Sequence, residues 1–123
     1  MDAHLILIVD EEAATRQALI DMLSLDAHEV DGAGDADSAL LLLDQRRYHL
    51  VIADVRMPKL DGPALLDALA ERFGDAPPQV VFLTRVAFDP HYGSFLANLR
   101  APVLTKPLKP GRVLELVTRI LAP

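Results

Sequence analysis

Four short apolar runs in this chain each end on residues equipped for chemistry. Asp10 and Glu11 follow residues 5–9, Asp54 follows 50–53, Thr84 follows 80–83 and Lys106 follows 103–105. Brought together, these groups suit one class of reaction. Three carboxylates within a few ångströms repel one another and raise each other's pKa unless a cation joins them. Mg²⁺ is the natural cation, because it takes oxygen ligands, keeps several waters, and usually binds through one or two carboxylates plus a substrate phosphate. Zinc would ask for His or Cys, which these run ends lack. The Lys106 ammonium and the Thr84 hydroxyl would hold the other oxygens of a transferred phosphoryl group, whose transition state is stabilised mainly by positioned charge and hydrogen bonds. Asp54, central among them, reads as the nucleophile.

To converge, those run ends must lie along one edge of a sheet. Strands are expected at 5–9, 29–33, 50–53, 80–83 and 103–105, and helices at 13–25, 36–46, 63–73, about 90–99 and 110–121. Three of the strands are continuous Val- and Ile-rich runs, as expected where both faces are covered. Pro63 and Pro110 suit first helical turns, while Gly74 and the Pro77-Pro78 pair close a helix and lead into a strand. Strand and helix alternate throughout, which implies an α/β fold: a doubly wound, five-stranded parallel sheet with right-handed crossovers and helices on both faces. In an open parallel sheet, ligands bind beyond the carboxyl ends where the strand order reverses. For order 2-1-3-4-5, that point sets Asp10 and Glu11 beside Asp54, with Thr84 and Lys106 completing the rim. Strand two, at the far edge, carries no such residue.

Composition bounds the function further. The 123 residues suit a single domain, expected to span 1–123 with no output domain attached. A formal net charge of −6 opposes direct nucleic-acid binding, which needs Lys and Arg to neutralise phosphates. There is no cysteine, so disulfides and thiolate metal sites are excluded. The apolar run at 5–9 is too short for a signal sequence or a membrane span and ends in Asp10-Glu11-Glu12. The expectation is a cytoplasmic protein without a membrane partner.

Four blocks carry a family resemblance: Ile6-Leu7-Ile8-Val9-Asp10-Glu11-Glu12, Leu50-Val51-Ile52-Ala53-Asp54-Val55-Arg56-Met57-Pro58 with Asp61-Gly62, Phe82-Leu83-Thr84, and Thr105-Lys106-Pro107-Leu108. In order and spacing they resemble the response-regulator receiver family of two-component signalling, which has a flavodoxin-like fold. The resemblance implies that Asp54 takes a phosphoryl group from a phosphohistidine on a histidine kinase or phosphotransfer protein. It also implies that Asp10, Glu11, Asp54 and the main-chain carbonyl of Arg56 ligate Mg²⁺. By the same token Thr84 swings toward the new phosphoryl oxygen, Lys106 bonds it, the Lys106-Pro107 peptide is cis, and helix four, strand five and helix five form the switched surface. Such a protein is a signalling switch, not a turnover enzyme.

Three positions depart from the commonest family pattern. Val103 stands where an aromatic is usual, which removes a ring able to couple the hydroxyl to the surface. Arg85 stands where a small residue is usual, within reach of the phosphoryl site. Glu11 replaces the more usual aspartate and lengthens a metal ligand by one methylene.

Simpler readings stand beside these. Asp10 and Glu11 serve equally as acidic residues at the start of helix one; Asp54 alone is a residue after a strand, Thr84 a β-branched strand end, Lys106 a solvated lysine. Leu40, Leu43, Leu65, Leu69, Val113, Val117 and Ile120 fall at helical spacing and read as core. Phe88, Tyr92, Phe95 and Leu99 form one stripe of helix four, core or partner surface. His4, His28, His49 and His91 share no ligand spacing and are given no role. A receiver-like interaction module that signals without phosphorylation is the alternative, fed by Val103 and Arg85. A flavin carrier would need a Gly- or Ser/Thr-rich loop where Asp10-Glu11-Glu12 stands, and an aspartate-nucleophile phosphatase a second aspartate where Arg56 stands. The stretch from Ala101 to Pro107 is similar to receivers fused to hybrid kinases, so the chain reads as either a stand-alone receiver or a piece of a longer kinase or regulator, with weak homodimerisation through the helix four to helix five face.

Overall fold

The computed structural model describes residues 4–86 and 89–123. In chain order the elements are β1 (Leu5–Val9), α1 (Ala13–Leu25), β2 (Glu29–Ala33), α2 (Ala36–Gln45), β3 (Leu50–Asp54), α3 (Gly62–Phe73), β4 (Gln79–Thr84), α4 (Gly93–Ala97), β5 (Val103–Thr105) and α5 (Pro110–Ile120). The five strands form one parallel sheet in the order β2-β1-β3-β4-β5, as expected. The chain first builds outward from β1 to β2, then returns to the other side of β1, so the order reverses between β1 and β3.

Alternating strand residues build two cores, one per face. Leu7, Val9, Val51, Ala53 and Phe82 pack with Ala39, Leu43, Leu65 and Leu69 of α2 and α3. Ile6, Ile8, Leu50, Ile52, Val81 and Leu83 pack with Leu19 and Leu23 of α1 and Val113 and Val117 of α5. β3 is buried along its whole length. Each large aliphatic side chain so buried contributes about 1.5–3 kcal/mol, so the sheet centre is the rigid base on which the carboxyl edge stands.

Two strands run one residue past their apolar stretch, because the ladder continues through the polar residue. Asp54 pairs with Leu83, and Thr84 with Thr105. Both groups are thereby held on strand backbone, not on loops. The helix starts are set by side chains: Asp35 accepts the Ser38 N–H at 2.8 Å and Asp61 the Ala64 N–H at 3.1 Å, with Pro63 in the first turn of α3. Gly62 is required by close approach, since a Cβ there would sit 2.5 Å from the Phe95 ring and 2.9 Å from Val55 Cγ2.

Helix four is shorter than its sequence expectation. The Asp89 carboxylate accepts the N–H groups of His91 and Tyr92, making a turn of 89–92 and leaving only Gly93–Ala97 helical. Tyr92, Phe95 and Leu99 do line one stripe packed on the core, as expected, while Phe88 lies outside the described residues. His4, His28 and His49, unrelated in spacing, meet at the amino ends of β1, β2 and β3. The His4 ring centroid is 5.7 Å from that of His28 and 5.0 Å from that of His49. Burial holds the His28 imidazole below its ordinary pKa, with His4 adding to the effect and Asp26 opposing it. No helix among the described residues is long and apolar enough to cross a membrane.

Candidate functional site

The carboxyl edge gathers its charged groups around one ammonium. Lys106, directly after β5, places Nζ 2.8 Å from Asp10 Oδ2, 2.9 Å from Asp54 Oδ2 and 2.8 Å from Glu12 Oε1. Asp10 is 1% exposed and Asp54 7%, so two of the three carboxylates are buried with it. Burial alone would pull the Lys106 pKa down, but the bonds to Asp10, Glu12 and Asp54 outweigh it and hold the ammonium charged, above its ordinary value. The same bond from Lys106, then the Thr15 hydroxyl, holds Glu12 below the usual carboxylate range.

The second oxygens of the two aspartates are fixed by backbone. Asp54 Oδ1 accepts the Arg56 N–H at 2.8 Å, and Asp10 Oδ1 accepts the Glu12 N–H at 2.9 Å. Asp10 thus does stabilise the approach to α1, while Glu12, at the N-cap position, makes no side-chain cap because its carboxylate is turned to Lys106. Thr84, 2% exposed, donates its hydroxyl to the Val86 carbonyl at 3.2 Å. Arg85 is largely exposed and stands 3.6 Å from Glu12 Oε2. Val103 is partly exposed in β5, and the Lys106-Pro107 peptide is cis. A cleft of about 540 Å³ opens from Glu12, Arg85 and Lys106 between α1 and the segment Pro107-Leu108.

Asp10, Asp54, Thr84 and Lys106 are therefore brought together, and Glu11 is not: it is exposed and, among the described residues, its side chain makes no hydrogen bond or ion pair. Glu12 takes the inward place. Its backbone is extended, so Asp10 and Glu12 fall on one side and Glu11 on the other, a period-two signal present in the sequence. Sequence reading also missed the Arg56 side chain, whose guanidinium grips Asp89.

The donor set fits a hard cation. Asp10 Oδ2 is buried and faces the ammonium at 2.8 Å, and as a carboxylate oxygen it has a further lone pair to offer a metal. With Asp54 and the Arg56 carbonyl it offers only oxygen, as Mg²⁺ prefers. Glu11 would join such a set by turning inward. Among the described residues, no three acidic or His groups stand ready as a cage, because Lys106 occupies the centre of the acidic cluster.

The sheet order, with an acidic, lysine-centred site at the point where that order reverses, defines a flavodoxin-like α/β domain. The chain matches the response regulator receiver domain family over residues 6–118, and it belongs to that family. It is 33% identical to the response regulator protein FleR of Pseudomonas aeruginosa over 114 residues, 93% of this chain but 24% of FleR, and so spans about a quarter of that relative's length. Among solved structures it is similar to the signal receiver domain of an HD domain-containing protein from Pseudomonas fluorescens, with 28% identity and TM-score 0.83 over 98% of this chain and 95% of that one. It is likewise similar to the response regulator TrrA of Thermotoga maritima in complex with Mg²⁺-BeF, with 28% identity and TM-score 0.79 over 96% and 99% of the two chains.

Proposed function

We propose that this chain is a phosphoacceptor switch in which Asp54 receives a phosphoryl group from the phosphohistidine of a histidine kinase or phosphotransfer protein. The observation that carries this reading is the placement of one ammonium within 2.9 Å of the Asp54 carboxylate while two further carboxylates share it. A carboxylate oxygen of Asp54 attacks phosphorus, the phosphorus–nitrogen bond breaks, and the imidazole leaves with the electron pair. Mg²⁺, when bound by Asp10, Asp54 and the Arg56 carbonyl, supplies positive charge to the phosphoryl oxygens. Lys106 is the chain's own cation there and moves from carboxylate to phosphoryl oxygen. The Arg56 N–H, already on Asp54 Oδ1, keeps that oxygen oriented. Thr84 exchanges its bond to the Val86 carbonyl for one to the phosphoryl group. TrrA, solved with Mg²⁺-BeF, is a relative in which metal and a phosphoryl mimic are held together, which supports the same chemistry here.

As a switch the protein turns over only its own modification. Residues 1–123 act as one receiver domain in the cytoplasm, either alone or joined to further kinase or output segments. Incubation with acetyl phosphate and Mg²⁺, followed by intact mass, is the test. The wild type should gain one phosphoryl group, and neither an Asp54→Asn variant nor a chelated sample should. An unmodified wild type would favour the phosphorylation-independent interaction module.

A further inference from the structure

Arg56 serves two partners at once. Its main-chain N–H donates to Asp54 Oδ1 at 2.8 Å, and its guanidinium donates to Asp89 through Nε and Nη2, both at 2.7 Å. The Asp89 side chain is fully buried whereas that of Arg56 is 48% exposed, so the carboxylate is the anchored member of the pair. Asp89 Oδ1 also accepts the N–H groups of His91 and Tyr92 at 2.8 and 2.9 Å, the two residues before α4. The guanidinium carbon lies 5.4 Å from the Tyr92 ring centroid, and the Tyr92 hydroxyl donates to Asp61 Oδ2 at 2.9 Å. Asp61 in turn caps α3. The β3–α3 connection is thereby stapled to the lead-in of α4 at two points, on a path that does not pass through β5.

A bidentate Arg–carboxylate pair is short and directional. A buried carboxylate does not give up its cation without rearranging what surrounds it. The residues before α4 therefore hold their present arrangement only while Arg56 holds its own, and Arg56 is bonded through its backbone to the proposed acceptor. We propose that Asp89 is a positioning residue which, through Arg56, ties the Asp54 carboxylate to the start of α4, so that phosphoryl occupancy and the arrangement of residues 89–98 are coupled. This rests on the phosphoacceptor reading and adds the route by which its state reaches the surface. With Val103 in place of an aromatic, β5 offers no ring to carry that signal. A phosphoryl group on Asp54 adds about −1.5 to −2 of charge to a carboxylate whose charge already acts on the Arg56 guanidinium, and so competes with Asp89 for that cation.

Amide hydrogen exchange of residues 89–98, with and without beryllofluoride in the presence of Mg²⁺, tests this in the wild type, Asp89→Asn and Arg56→Lys. Fluorine NMR reports uptake of the mimic in each. Asp89→Asn keeps an oxygen for the two N–H groups but drops the charge that holds Arg56. Arg56→Lys keeps charge and backbone N–H but lacks the fork. In the wild type, beryllofluoride should change exchange in this segment by at least about fivefold, the low end of ordinary allosteric coupling. In both variants that change should disappear, while in Asp89→Asn the bound fluorine signal persists. Variants that bind the mimic and respond as the wild type does would overturn the proposal. Absence of a bound fluorine signal in the wild type would instead remove the phosphoacceptor reading, and this coupling with it.

Discussion

Replacing Lys106 by Met and Asp54 by Asn should have very unequal consequences for stability, although both remove one charge from the same cluster. Two oxygens each 2.8–2.9 Å from one nitrogen are no more than about 5.7 Å apart. At an effective dielectric constant near 20, attraction at 2.9 Å is about 6 kcal/mol and repulsion at 5.7 Å about 3 kcal/mol. Removing the Asp54 charge therefore forfeits one attraction of about 6 kcal/mol and relieves a repulsion of about 3 kcal/mol with buried Asp10, together with a solvent-screened one with Glu12, so much of the loss is offset. The neutral amide introduced by Asp54→Asn would also be cheaper to bury than the carboxylate and could still accept the Arg56 N–H. Removing Lys106 forfeits every attraction and keeps every repulsion, leaving Asp10 and Asp54 buried without a cation. Breaking a buried pair in that way costs about 3–5 kcal/mol. Urea unfolding at neutral pH with chelator present should therefore find Asp54→Asn within about 1 kcal/mol of wild type and Lys106→Met destabilised by about 3 kcal/mol or more, at unchanged m-value. A Lys106→Met protein as stable as wild type, or an Asp54→Asn protein as damaged as Lys106→Met, would refute the electrostatic reasoning.

Gly62→Ala should destabilise by about 1–3 kcal/mol, because its Cβ meets Val55 and the Phe95 ring; a thermal melt should show this, with partial recovery in Gly62→Ala/Phe95→Leu. Tyr48→Phe removes the 2.6 Å donation from the Tyr48 hydroxyl to Asp31 and should cost about 1–2 kcal/mol in urea unfolding, since Arg46 still pairs with that carboxylate. Because the His28 pKa is lowered in the fold, the unfolded chain takes up that proton first, so stability present above about pH 6.5 should decline as pH falls below it. His28→Gln should flatten that acid limb in melts taken from pH 7 to pH 5, and an unchanged limb would exclude His28 as its source.

The sheet was legible because β1, β3 and β4 are buried on both faces and so carry unbroken apolar runs, each stopping at a chemical residue. The convergence of Asp10, Asp54, Thr84 and Lys106 follows from strand order alone. What stayed hidden depends on side-chain direction and on contacts between distant segments. Glu12 rather than Glu11 faces Lys106, a matter of backbone alternation beyond the end of β1. The Arg56–Asp89 pair joins residues that share no local pattern, and it also shortens α4 by drawing the preceding N–H groups into a turn. The histidine group forms only because three strands begin side by side, which no spacing along the chain records.

The phosphoryl acceptor can be identified directly. After treatment with acetyl phosphate and Mg²⁺, reduction with borohydride converts an aspartyl phosphate to homoserine, which peptide mass mapping locates. Homoserine at position 54 and nowhere else is the predicted result. Homoserine at Asp10 or another acidic residue, or none in a sample whose intact mass shows phosphoryl uptake, would contradict the assignment of Asp54.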